Sequence, residues 1–246
     1  MEASEPTPEE IFVLNKRVRL LQPPKGFRTS LDSVMLAAAC PALPTDHVLD
    51  LGAGVGGAAF CLYKRVGCAV TGIELQTEYV TLARDNIPLN DATAKANFIQ
   101  ADIQDFKSPQ PFDHVMCNPP YFESGGHSIS PDRLRAHALG HLDEEMNIKS
   151  WVDAAFHNVK SNGSITMIHQ ASMTVEIVQA LGRRFGAVEI IPLWPRAGQP
   201  AKRVIIRARK DRKTPCALHP GLVLHQADGS YTPMTDGILR DMEPLN

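Results

Sequence analysis

From His47 onward, short runs rich in β-branched and apolar residues alternate with stretches of helical spacing, and this alternation restricts the fold more than any other feature. Strands are expected at 47–51, 69–73, 97–100, 114–117, 165–169, 188–193 and 203–207. Helices are expected at 58–66, 78–86, 148–159 and 175–185 between them. Strands separated by helices cannot pair as hairpins, so the expectation is an α/β fold: a Rossmann-like, mostly parallel, doubly wound sheet of seven strands. With 246 residues, 43% of them hydrophobic, the chain can bury a full core without disulfide or metal staples.

The flanks are different in texture. Residues 1–45 form a short N-terminal extension: an acidic lead through residue 10, a strand and loop with the turn Pro23-Pro24-Lys25-Gly26, and a helix opening at Asp32 and stopping before Pro41. Residues 46–213 form the α/β domain, and 214–246 a C-terminal appendage with one hairpin turn at Asp228-Gly229. Formal net charge is −2, which excludes a wholly basic nucleic-acid coat protein while leaving room for a local basic face. Cys40, Cys61, Cys68, Cys117 and Cys216 are an odd number with no CxxC pair, as expected of reduced, buried thiols in a cytoplasmic protein. The acidic start lacks the features of a secretory signal, and the apolar run from Val34 to Leu43 is too short to span a bilayer.

The first chemical constellation is Asp50-Leu51-Gly52-Ala53-Gly54-Val55-Gly56-Gly57, between a strand and a helix. Glycines there allow a sharp turn and open space for a ligand at the helix start. Glu74 closes the next strand 22 residues after Gly52, where a carboxylate can accept both hydroxyls of a ribose. Asp102 follows the third strand within reach of an adenine amine. Gly52, Gly54 and Gly57 also fit a dinucleotide fingerprint, so an NAD-dependent oxidoreductase is the competing reading. Asp50 favours S-adenosylmethionine instead, because its carboxylate suits a cationic sulfonium and amino group and repels a pyrophosphate. A glycine-rich turn with no ligand is the plainer alternative.

The second constellation, Asn118-Pro119-Pro120-Tyr121, follows the fourth strand on the edge where α/β sheets bind ligands. Two prolines extend the backbone and delete two N–H donors. What remains are acceptors, the Asn118 side-chain oxygen and the Pro119 carbonyl, suited to the two hydrogens of a planar amine. Tyr121 and Phe122 offer stacking faces for a flat ring. A merely structural proline turn is the alternative if the motif is taken alone.

Together these motifs resemble the NPPY-type class I amino methyltransferases. Gln22, Gly26, Arg28-Thr29-Ser30-Leu31-Asp32, Asn118–Phe122 with Glu123, and the late basic strand around Lys202-Arg203-Val204-Ile205-Ile206 are similar to one branch. That branch is the bacterial tRNA (adenine-N6) methyltransferases acting beside the anticodon of a valine tRNA. The likeness runs from about residue 15 through nearly all the chain. It implies that Asp50, Gly52, Gly54, Gly56, Glu74, Asp102 and Asn118 contact S-adenosylmethionine, with Thr29 and Asp32 closing over it. It also implies that Asn118, Pro119, Pro120 and Tyr121 hold the target amine, and that tRNA is the partner. A protein-glutamine methyltransferase is the alternative within the fold, since a side-chain amide is also planar; the 45 residues before the first strand leave little room for the helical domain those enzymes carry.

Arg196 to Lys213 contains eight basic residues against Asp211 alone. Arg203, Arg207 and Arg209 share one face of the expected strand, either as a phosphate-binding row or as charges protecting a sheet edge. His137 and His141 have the spacing of a zinc pair but no third ligand, and Asp143-Glu144-Glu145 reads as a solvated helix start, so no metal is expected.

Overall fold

A computed structural model describes residues 7–25, 29–121 and 147–245. Two short strands, β1 (Glu9–Val13) and β2 (Val18–Gln22), pair as an antiparallel hairpin, and α1 (Leu31–Ala39) follows. The end of the acidic lead joins this ladder, where Glu9 faces Gln22 and Glu10 faces Leu21. The alternating series then runs β3 (His47–Leu51), α2 (Gly57–Val66), β4 (Ala69–Glu74), α3 (Thr77–Leu89), β5 (Ala96–Gln100) and β6 (Phe112–Cys117). It continues with α4 (Ile148–Asn158), β7 (Val159–Gln170), α5 (Thr174–Leu181), β8 (Phe185–Arg196) and β9 (Arg203–Lys210). The C-terminal stretch adds β10 (Ala217–Leu218), β11 (Leu222–His225) and α6 (Pro233–Asp241).

The sheet has the order β10-β8-β9-β7-β6-β3-β4-β5, with β11 also on β8. Strands β3 to β7 are parallel, and β9 lies antiparallel between β7 and β8. Its reversal follows from the short connection after β8, which is too brief for a parallel crossover. The seven expected strands are all present, and β10 and β11 extend the sheet to nine. The expected C-terminal hairpin turn forms, with the Gln226 N–H on the Ser230 carbonyl and a single bridge, His225 to Tyr231, while β11 also pairs with β8. The expected helix through residue 185 ends at Leu181, where the chain turns into β8.

Side chains alternate between two buried layers, as parallel strands covered on both faces require. Val48 packs with α1 and α2, while Leu49 and Leu51 pack with α4. The two flanks meet on the α1 side: Ile238 and Leu245 join that layer, and the Leu245 N–H donates to the Ala38 carbonyl at 2.9 Å. The carboxyl ends of β3, β4, β5, β6 and β7 open onto one edge of the sheet, which carries the site.

Candidate active site

After β3 the chain must turn sharply into α2, and Gly52, Gly54 and Gly56 do so with φ of +65°, +55° and +87°. These are left-handed conformations that a Cβ would strain. Space is equally short: a Cβ on Gly52 would lie 2.6 Å from the Trp151 ring, and one on Gly57 2.7 Å from Thr29 Oγ1. Thr29 thus sits against the start of α2, and its N–H donates to Gln22 Oε1 at 3.3 Å. Glu74, at the end of β4, accepts the Gly54 N–H on Oε2 and the Gln76 N–H on Oε1, each at 3.0 Å. Burial pushes its carboxyl above the usual range.

Asp50 points toward the α2 layer and is 3% exposed. Its Oδ2 has no hydrogen-bond partner, and burial pushes the carboxyl up to about 8. Asp102 lies just beyond β5, with Oδ1 accepting the Gln104 N–H at 2.8 Å. Asn86 of α3 and Asn90 at its C-cap, not anticipated from sequence, tie α3 and the glycine loop to the N-terminal hairpin. Asn86 accepts the Leu21 N–H and donates to the carbonyls of Leu21 and Val55, and Asn90 bonds both backbone groups of Arg19.

At the end of β6, Asn118 Oδ1 is buried without a partner. Pro119 is buried and Pro120 exposed. The Tyr121 hydroxyl donates to Asp32 Oδ2 at 2.5 Å, and the other oxygen of Asp32 pairs with Arg203 Nε. Asp32 is buried in the first turn of α1, where the helix dipole favours a carboxylate. Burial and the Asp32 carboxylate push the Tyr121 phenol well up, so the hydroxyl stays a donor. Burial alone would lower the Arg203 guanidinium, but Asp32 and Tyr121 outweigh it and the net shift is upward.

The basic strand differs from expectation. β9 is interior, so its charges protect no edge. Because it runs antiparallel to β7, Arg203 lies opposite Gln170 at the site edge, while Arg209 lies opposite Ser164 near the far end. Arg203 is committed to Asp32, and Arg207 to Glu189 at 2.7 Å; Arg209, exposed, donates to the Asn162 carbonyl at 3.1 Å. The three therefore do not form a row of free cations facing one partner. Cys216 is exposed, whereas the other four cysteines are buried and free. Phe122, Glu123, Gly26, Arg28, His137, His141 and residues 143–145 lie outside the described residues. Among the described residues no group of three His, Cys, Asp or Glu side chains is placed to hold a metal, and no helix is long and apolar enough to cross a membrane.

A parallel sheet with an antiparallel β9 inserted beside β7, a left-handed glycine loop and an acidic residue ending β4 defines a class I methyltransferase, whose methyl donor is S-adenosylmethionine. The residues fit that donor: the glycines of the turn carry no side chains beyond Cα, Glu74 supplies acceptors, and the buried Asp50 Oδ2 and Asn118 Oδ1 have no partners. Residues 29–193 match the model of the methyltransferase small domain, and the chain belongs to that family. It is 28% identical over 210 residues to a tRNA1(Val) (adenine(37)-N6)-methyltransferase of Aeromonas hydrophila, covering 84% of this chain and 86% of that one. A protein of the same name from Shewanella baltica is 26% identical over 222 residues, covering 88% and 92%. Among solved structures, a predicted O-methyltransferase of Agrobacterium tumefaciens superposes with a TM-score of 0.71 at 25% identity, covering 87% of this chain and 98% of that one. TYW2 of M. jannaschii, solved with AdoMet, has a TM-score of 0.59 at 16% identity over 87% and 90% of the two chains.

Proposed function

We propose that this methyltransferase acts on the exocyclic N6 amine of an adenine in tRNA, in the anticodon loop of a valine tRNA. The observation that carries the reading is the buried, unpartnered Asn118 Oδ1 at the head of a segment whose two prolines leave only acceptors. Such a pair of acceptors, Asn118 Oδ1 and the Pro119 carbonyl, matches the two hydrogens of a planar amine. The names of the Aeromonas and Shewanella relatives support adenine and tRNA as the substrate class.

S-adenosylmethionine supplies a methyl group carried on a sulfonium. Glu74 and Asp102 would hold its ribose and base and Asp50 its cationic end, with Gly52, Gly54 and Gly56, free of side chains, between them and Thr29 against Gly57; Asp32, paired with Tyr121 and Arg203, serves the amine half instead. Holding both amine hydrogens draws the nitrogen toward tetrahedral geometry and directs its lone pair away from the ring. Tyr121, fixed through Asp32, presents a face for the splayed-out base. The protein thus contributes alignment and fixed dipoles rather than acid–base chemistry.

Docking of a folded RNA needs cations on the site edge. Lys202 and Arg196 are exposed there, next to Arg203, whereas Arg209 lies far along β9. The test is nucleoside mass spectrometry of tRNA from cells lacking this protein. Loss of N6-methyladenosine, restored by the gene and not by its Asn118→Ala variant, is the expected result. Unchanged tRNA overturns the substrate assignment.

A further inference from the structure

His169 is fully buried on β7 and takes no part in the roles assigned so far. The Gln170 N–H donates to its Nδ1 at 2.9 Å, so Nδ1 carries the lone pair and Nε2 the hydrogen. Nε2 is buried and has no aligned acceptor. Its surroundings are specific: the Pro120 carbonyl and the Asp32 carboxylate both act on the ring, and the Tyr121 ring lies 5.0 Å away, centroid to centroid. The tethering problem of this segment explains the arrangement. A chain leaving a strand is normally held by its N–H groups, and Pro119 and Pro120 have none. Its anchors must come from donors outside, or from the Tyr121 hydroxyl, which Asp32 already takes.

We propose that His169 is a positioning residue for methyl transfer: its neutral imidazole backs Tyr121 and holds its Nε2 hydrogen, unpartnered here, for the Pro120 carbonyl, so that the amine acceptors of 118 and 119 are held in place. The proposal rests on the reading of 118–121 as an amine clamp. The ring works only when neutral, because a proton on Nδ1 would face the Gln170 N–H donor to donor. The charged and titratable groups around it are Asp32 from α1, Tyr121 from the loop and Arg203 from β9. Burial keeps the imidazole neutral against the opposing pull of the Pro120 carbonyl and Asp32. Protonation at acid pH therefore releases the loop.

The test compares His169→Phe, which keeps a ring but removes the donor, with His169→Gln, whose amide N–H restores one. The substrate is an anticodon stem–loop RNA. His169→Phe is expected to lower kcat about 10- to 100-fold, the scale for a lost positioning contact, with S-adenosylmethionine affinity by calorimetry within twofold. His169→Gln is expected to recover most of kcat and to lose the acid limb of its pH profile. A readout independent of turnover is the preference for the stem–loop with adenine over one with purine, which lacks the amine; the Phe variant should lose it and the Gln variant keep it. Equal kcat in wild type and Phe variant overturns the proposal, as does loss of kcat and cofactor affinity together in both variants. Should His169→Phe not fold, an acid limb persisting unchanged in His169→Gln is equally fatal. Wild-type protein inactive on every RNA overturns the substrate reading and the proposal with it, a result distinct from the others.

Discussion

In the cofactor half of the site, the polar contact that shapes the loop joins near neighbours in the chain: the Gly54 N–H meets Glu74 across 20 residues, between adjacent strands linked by one helix. In the amine half, Tyr121 meets Asp32 across 89 residues, and Asp32 meets Arg203 from the opposite side of the sheet order. The first half is built on a βα unit whose turn follows from local spacing, with Trp151 and Thr29 packed against its glycines from farther along the chain. The second is assembled from α1, β6, β7 and β9, and its Tyr121–Asp32–Arg203 network forms only once the whole sheet is closed. A buried network of this kind is costly when one member is missing, so the amine half is expected to respond to distant substitutions that the cofactor half ignores.

The strongest way to separate the halves is Asn118→Ala. It should lower methyl transfer by roughly a hundredfold or more, as for a lost transition-state hydrogen-bond partner, while calorimetric affinity for S-adenosylmethionine stays within a few-fold. A parallel fall in affinity would merge the two halves into one. Next is Asp50→Asn on the cofactor side, expected to weaken S-adenosylmethionine binding by about 2 kcal/mol, roughly thirtyfold, through loss of a carboxyl that gives up its proton when the cationic end docks. Its pH behaviour has a definite sign. With the folded carboxyl at about 8 and the ordinary value at 3.8, the unfolded chain is ionised between those limits while the folded one keeps its proton. Stability therefore falls as pH rises through this window, and Asp50→Asn should flatten thermal melts recorded from pH 5 to 8. Melts of equal slope in both proteins would deny Asp50 its protonated state.

Within the amine half, Arg203→Ala leaves the buried Asp32 carboxylate without its cation. A full loss of a buried partner costs about 3–5 kcal/mol; because Arg203 is one-third exposed, about 1–2 kcal/mol is expected in urea unfolding. Arg209→Ala, on an exposed residue of the same strand, should stay within about 0.5 kcal/mol. Equal effects would mean the Asp32 pair contributes nothing. The smallest effect concerns RNA docking: Lys202→Ala should flatten the log-affinity against log-salt slope for tRNA by about one unit, and Arg209→Ala by about none. The reverse order would move the docking surface to the far edge of the sheet.

Much of the molecule was legible without coordinates. Period and β-branching located β3 to β9, with β7 beginning six residues earlier than expected, because strands buried on both faces read as short apolar runs between helical patterns. Three signals were misread. Asp228-Gly229 suggested a hairpin, which forms with a single bridge, but the second strand is replaced by the Thr232-capped helix α6, which went unseen. Basic residues of β9 suggested a free row, because composition counts charges and not their partners; Glu189 and Asp32 come from elsewhere in the chain. His169 and Asn86 gave no warning, since a buried histidine or asparagine in an ordinary element looks the same whether or not it braces a loop.

The order of elements, the left-handed glycine turn, the acid after β4 and the acceptor-only segment after β6 follow from local sequence. Each depends on backbone stereochemistry or on residues a few positions apart. Which arginine is free, which carboxylate is buried, and which histidine stands behind the clamp were decided by tertiary structure alone. Those properties arise when strands distant in sequence become neighbours and exclude water, and no periodicity along the chain encodes the partner across the sheet.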